Sequence, residues 1–173
     1  MDFYTTIFEV IDMRSFSNLW YWIALAVLWS SAAHWTLGVP YDMIQRARRK
    51  GAEAQHDLED ITRINVKRLL MISSVAGLLI LGFAMFLLTT LGLLAFYYSV
   101  EFAQALFLMV LPMSLVGALS VSAAQKINER NIQGHELIRV LLRHRFWIQV
   151  IGVFAIFFTA LWGMYQNLRL GVL

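Results

Sequence analysis

The chain has no cysteine and only two prolines in 173 residues, and just 14% of its side chains carry charge. Without cysteine there is no disulfide framework, no thiolate zinc site, no Cys-ligated iron–sulfur cluster and no thiol nucleophile. Also missing are a Walker-type glycine loop, a GxSxG elbow, an HExxH helix and any pair of acids inside an apolar run. The shortage of charge is matched by an excess of apolar residues, 60% of the chain, against roughly 45–50% in soluble domains. That excess excludes intrinsic disorder, because disordered chains are poor in apolar residues. What remains is a polytopic membrane protein, all-α, in one domain.

The charged residues cut the chain into neutral pieces of 27 residues (between Arg14 and Asp42), 32 (Arg68 to Glu101), 24 (Glu101 to Lys126) and 23 (Arg145 to Arg169). A bilayer core of ~30 Å needs about 20 apolar residues as a helix, and unpaired backbone groups in lipid force the helical form. Four spans are expected at about 16–38, 69–96, 100–125 and 146–166. The second piece is too long for one upright helix, so a turn is expected at Tyr97, Tyr98 and Ser99. Pro112 falls inside the third span, where its ring removes a backbone bond and bends the helix.

Seven basic residues lie in the loop from Val39 to Arg68 and five in the loop from Lys126 to Arg145, twelve of the fourteen in the chain. Four spans put both loops on one side, and the positive-inside rule makes that side cytoplasmic, with both termini periplasmic. Trp20, Tyr21 and Trp22 open the first span and Trp35 closes it; Trp147 opens the fourth and Trp162 with Tyr165 closes it, as interfacial aromatic belts do. The N-terminal segment is acidic, with Asp2, Glu9 and Asp12 where a signal peptide is basic. Its Phe3, Ile7, Phe8 and Ile11 fall at helical spacing, which predicts a short helix on the outer membrane surface.

In the first loop, Gly51 separates two helix-favouring arms. The spacing predicts that spans one and two extend past the bilayer and meet near Gly51. Arg46, Arg48, Arg49 and Lys50 would then face Glu53, Asp57, Glu59 and Asp60. The second arm carries an apolar stripe through Leu58, Ile61, Ile64 or Asn65, and Leu69, to be covered by the first arm or by a partner protein; Leu58 and Ile61 are the candidate docking residues. After Gly134 the second loop reads as a helix lying against the headgroups, with Leu137, Val140, Leu141 and His144 on one face. The basic residues are interleaved with acids and hug the membrane, so nucleic acid is not an expected partner.

Three polar residues stand out within the spans: His34, Glu101 and Gln149. His34 shares a face with Ser30 and Ser31, one turn from the cytoplasmic end, where those serines or headgroups satisfy it. An intramembrane His also allows a proton-handling, quinone-contacting or haem-ligating role, with His144 as the one possible second haem ligand. Glu101 opens the third span, where an acid complements the helix dipole by roughly 0.3–1 kcal/mol; Gln104 shares its face. Gln149, one turn inside the fourth span, is placed to bond a neighbouring helix. Ser73 with Gly77 and Ser114 with Ala118 are small-residue pairs suited to close helix packing. The cluster His56, Asp57, Glu59 and Asp60, and the pair His135 and Glu136, lack metal-ligand spacing and read as solvated. No cofactor or metal is expected.

The stretches IFEVIDMRSFSNLWYW, HWTLGVPYDMIQRARR, RHRFWIQVIG and TALWGMYQN together resemble a family of small, functionally uncharacterised multi-pass proteins of proteobacterial inner membranes. Some members carry the label of a component of the Suf-type iron–sulfur assembly complex. The resemblance implies location in the bacterial inner membrane and brings no functional residues with it. Taken together, these features lead to the expectation of a non-enzymatic accessory or assembly subunit in the lipid bilayer, docking a protein partner. Self-association into a small transporter or channel is the alternative, and a haem- or quinone-contacting subunit using His34 a third.

Overall fold

The computed structural model describes residues 16, 18–49 and 51–171, the side chains of 169–171 excepted. The proposed N-terminal surface helix and Lys50 lie outside the described residues. The fold is all-α. Helix α1 runs Leu19–His34; a two-residue ladder pairs Trp35–Thr36 with Val39–Pro40; α2 is Tyr41–Arg49 and α3 Ala52–Gly92. A π-helical turn follows at Leu93–Tyr97, then α4 at Glu101–Glu129 and α5 at Gly134–Gly171.

Local chemistry sets the ends of these helices. Asn18 caps α1, its Oδ1 accepting from the Trp20 backbone N–H at 3.0 Å. Helix α1 stops at His34 because the next residues form a tight hairpin with positive φ at both Leu37 and Gly38. Pro40 then leads into α2. This corrects the expectation that the first span continues unbroken to Gly51. A side chain at Gly38 would also meet Asn65 at 3.1 Å, and Asn65 Nδ2 donates to the Gly38 carbonyl at 3.0 Å. The turn expected at residues 97–99 is present: the π turn ends at Tyr97, Ser99 has φ 55°, and Glu101 opens α4. Helix α4 runs through Pro112 without a break.

Among the described residues three helices are long and apolar enough to cross a membrane: the segments Ala52–Tyr97, Glu101–Glu129 and Gly134–Leu168. Helix α1, with 16 residues, reaches about 24 Å and falls short of the usual span length. Along α3, Met71, Val75, Leu78, Leu79, Phe83 and Phe86 are all more than half exposed. An apolar surface of that extent is far beyond the patches soluble monomers show. It is compatible with a helix that faces lipid.

The core lies in three stacked clusters. A middle one joins Leu25 and Trp29 of α1, Val116 of α4, and Ile148 and Ala155 of α5. A small one at one end holds Leu91, Ala95 and Ala103. The largest, at the other end, gathers Leu37, Val39, Ile44, Ala47, Leu58, Val66, Ile127, Ile132, Leu137 and Leu141. Both strongly basic segments therefore fold into one helical head at the same end of the bundle.

That head decides one expectation and overturns two. Leu58 is fully buried, and Ile61 packs against the same cluster; of the two covers expected for the apolar stripe, the chain itself supplies one, through α2, α4 and α5, which takes Leu58 out of reach of a partner. The helix after Gly134 is continuous with the last apolar segment, so it stands up in the head and does not lie along the headgroups. Leu137, Val140, Leu141 and His144 do share its buried face. The charged arms do not pair across Gly51: among the described residues the ion pairs are Arg63–Asp60 at 2.7 Å and His56–Asp60 at 3.6 Å, both within α3. Glu59 instead accepts from the Gly134 backbone N–H at 2.7 Å and from Gln55, holding the α4–α5 turn to the long helix.

Candidate functional site

Two groups of polar residues occupy the two ends of the bundle. At the end away from the head, Gln104 is almost fully buried. Its Nε2 donates to the Ala95 carbonyl at 2.8 Å, and its Oε1 accepts from Trp162 Nε1 at 2.9 Å and from Gln166 Nε2. Ala95 sits in the π turn, where the helix ends and its carbonyls lose intrahelical partners. One amide thus completes a helix end and ties α4 to α5. Glu101, three residues earlier, accepts from the Phe16 backbone N–H at 2.8 Å. The carboxylate therefore does more than complement the α4 dipole: it holds the approach to α1.

Further contacts anchor that approach. Trp22 Nε1 donates to the Phe16 carbonyl at 3.0 Å, and Tyr21 Oη donates to the Ala105 carbonyl at 3.2 Å. Phe16 is buried against Gly163, where a Cβ would come within 3.2 Å of its ring. Gln104 and Gln166 are neutral at every pH. With both ends of the Gln104 amide bonded, Gln104 acts as a clamp between helices at this end.

The head end carries His34, His144 and Arg145. His34 is exposed on the last turn of α1, its ring edge-on to Trp35 at 5.8 Å. With Ser30, Ser31, Ala33, Trp35 and Arg145 it lines an open recess of about 400 Å³. Arg145 is fixed there from two sides. Its Nε donates to the Ala33 carbonyl at 2.9 Å, and its guanidinium carbon stands 3.4 Å above the Tyr41 ring, a cation–π geometry. The Tyr41 phenol lies below its ordinary pKa, first through a hydrogen bond from Gln45 and then through Arg145.

His144 precedes Arg145 and turns toward α4, buried with its Nε2 3.2 Å from Ser120 Oγ. Ser120 spends its proton on the Val116 carbonyl at 2.8 Å, which assigns the hydrogen of this contact to His144 Nε2. His34 is exposed in the recess beside Arg145, whereas His144 is buried against Ser120 of α4, so the two rings have different surroundings. Gln149 is exposed, so the expected bond to a neighbouring helix is absent and its side chain lies on the bundle surface. Among the described residues no group of three or more His, Asp or Glu is placed to hold a metal ion.

Reading the sequence singled out His34, Glu101 and Gln149, noted Gln104 only as sharing a face with Glu101, and missed Gln166 and Arg145. The signal for joining Gln104 to Gln166 was present: one amide near the start of the third span and one at the end of the fourth lie at matching depth. Comparison of the chain with protein-family models, curated proteins and solved structures finds no match.

Proposed function

We propose that this chain is a four-span integral protein of a bacterial inner membrane, with both termini periplasmic and the helical head cytoplasmic. It acts without catalysis, as an accessory or assembly subunit that docks a partner protein. The fourth span is α1. Its start is tied to Glu101 and Gly163 and its end to Arg145. Arg145 and Gly163 are separated on α5 by a rise of about 27 Å. Helix α1 thus accompanies α5 across nearly the whole apolar thickness, and the residues flanking it make up the remainder. The basic residues of the head supply the orientation.

The observation that carries the functional reading is the head itself. Helix α3 has 41 residues and reaches about 62 Å, twice the ~30 Å hydrocarbon core. The excess is built, with α2 and the start of α5, into a folded unit with its own apolar core. A bundle that only spanned the bilayer has no need of such a unit; a subunit presenting a surface in the cytoplasm does. Because Leu58 and Ile61 are covered, the docking surface is the outer face of α3, where Glu53, Asp57 and Ile64 are exposed.

Purification from native membranes in mild detergent tests this reading. The expected result is a second polypeptide at constant ratio, lost in an Asp57→Lys, Ile64→Glu variant that still inserts. Recovery of this chain alone, in one or several copies, would move the weight to a self-associating channel. A bound chromophore would favour the haem or quinone role.

A further inference from the structure

We propose that the recess formed by Ser30, Ser31, His34, Trp35 and Arg145 is a phosphate-binding site, taking the phosphodiester of an anionic lipid headgroup or free phosphate. The inference rests on the membrane-spanning reading of α1, which places the recess at the cytoplasmic interface. Arg145 supplies the charge. Among the described residues no carboxylate lies within ion-pair distance of it. Its Nε and its ring stack fix the guanidinium plane, and the terminal N–H groups not engaged by the Tyr41 phenol remain for contact with phosphate oxygens.

The bond from Nε to the Ala33 carbonyl also covers one of the free carbonyls at the α1 C-terminus, the part of a helix end that would repel an anion. Ser30 and Ser31 add two exposed hydroxyl donors one turn away, and His34 adds a ring N–H. Trp35, about half exposed, marks headgroup depth. A second recess of about 350 Å³ opens at Tyr41, the ring beneath Arg145, and is lined by Gln45, Arg48 and Arg49. The neighbouring surface is therefore cationic as well.

The test is a binding titration of the full chain in neutral-detergent micelles, with phosphatidylglycerol, phosphatidylcholine or inorganic phosphate as the probe. Phosphatidylglycerol is expected to bind. Arg145→Gln is expected to weaken binding roughly tenfold or more, since a charge-assisted contact is lost. The Ser30→Ala, Ser31→Ala double variant alters only exposed hydroxyls and keeps the test valid if Arg145→Gln folds poorly; it too weakens binding. Arg139→Gln, the same charge change on the exposed face of α5, leaves binding unchanged.

Inorganic phosphate binding with the same dependence on these variants supports the site and assigns it to the soluble anion. Equal binding of phosphatidylglycerol and phosphatidylcholine, or equal binding by every variant, overturns the proposal. Alkaline carbonate extraction of the membranes from which the chain is purified separates the two levels. A chain that washes off refutes the spanning reading, whereas a retained chain with variant-independent binding refutes only the phosphate site.

Discussion

Replacing Gly152 by Ala adds one methyl group at the point where α1 and α5 meet in mid-bundle. That methyl would sit 2.8 Å from Trp29 Cε3, 3.2 Å from Cδ2 and 3.4 Å from Cζ3. Carbon atoms rest at roughly 3.5–4.0 Å, so the indole or the helix must move. Trp29 is 6% exposed and packed among Leu25, Val116, Ile148 and Ala155, which leaves it little room. Overpacking of this kind costs about 1–3 kcal/mol. Ala also gains about 0.8–1.0 kcal/mol over Gly in a helix, and that gain must be removed from the comparison.

Gly117→Ala supplies the correction, because nothing lies within 4 Å of the Cβ it would add. In reversible unfolding by a denaturing detergent, Gly152→Ala is expected to fall below Gly117→Ala by about 1–3 kcal/mol. Trp29→Leu removes the six-membered ring that the methyl strikes. In a double-mutant cycle it is expected to restore most of the loss, with a coupling of about 1 kcal/mol or more. Equal shifts for Gly152→Ala and Gly117→Ala, or simple additivity with Trp29→Leu, would refute the packing of α1 on α5.

Gln104→Leu is expected to strand the Ala95 carbonyl, the Trp162 indole N–H and the Gln166 amide, at about 1–3 kcal/mol for each group left unpaired; unfolding in the same detergent assay measures it, and a change under 1 kcal/mol would contradict the clamp. Leu58→Ala is expected to cost about 2–5 kcal/mol by opening a cavity in the head, read as faster proteolysis within residues 39–68. Unaltered protease resistance would show that Leu58 faces outward after all.

Much of this architecture was legible because charge in a membrane chain is sparse and its positions are decisive. The neutral run from Arg68 to Glu101 located the end of α3, the turn at Ser99 and the start of α4 within a few residues. The twelve clustered basic residues anticipated that both loops share one end. Outside the bilayer the same reasoning weakened. The arms around Gly51 were expected to attract one another by charge, yet they pack through Ile44, Ala47, Leu58 and Val66, because exposed ion pairs are worth little beside burial of aliphatic side chains. The break after His34 rests on a local backbone requirement, positive φ at Leu37, that a leucine does not advertise.

The candidate sites were less legible than the fold, since each depends on which residues distant in sequence meet. Glu101 was singled out as a helix N-terminal acid, but its contact with Phe16 spans 85 positions. Arg145 was counted as a topological charge; only the fold brings it over Tyr41 and beside Ser30 and His34. Gln149 shows the converse, because a polar residue within an apolar run needs no partner when it lies at a surface.

The central claim, four spans with the head in the cytoplasm, is tested most directly by single cysteines in a chain that has none. Leu19→Cys, Glu53→Cys and Tyr98→Cys replace exposed side chains at the start of α1, in the head and at the α3–α4 turn. With a thiol reagent that does not cross the inner membrane, positions 19 and 98 are predicted to label in intact cells and position 53 only after lysis. Labelling of position 53 in intact cells, or protection of position 19 together with position 53, would contradict the account.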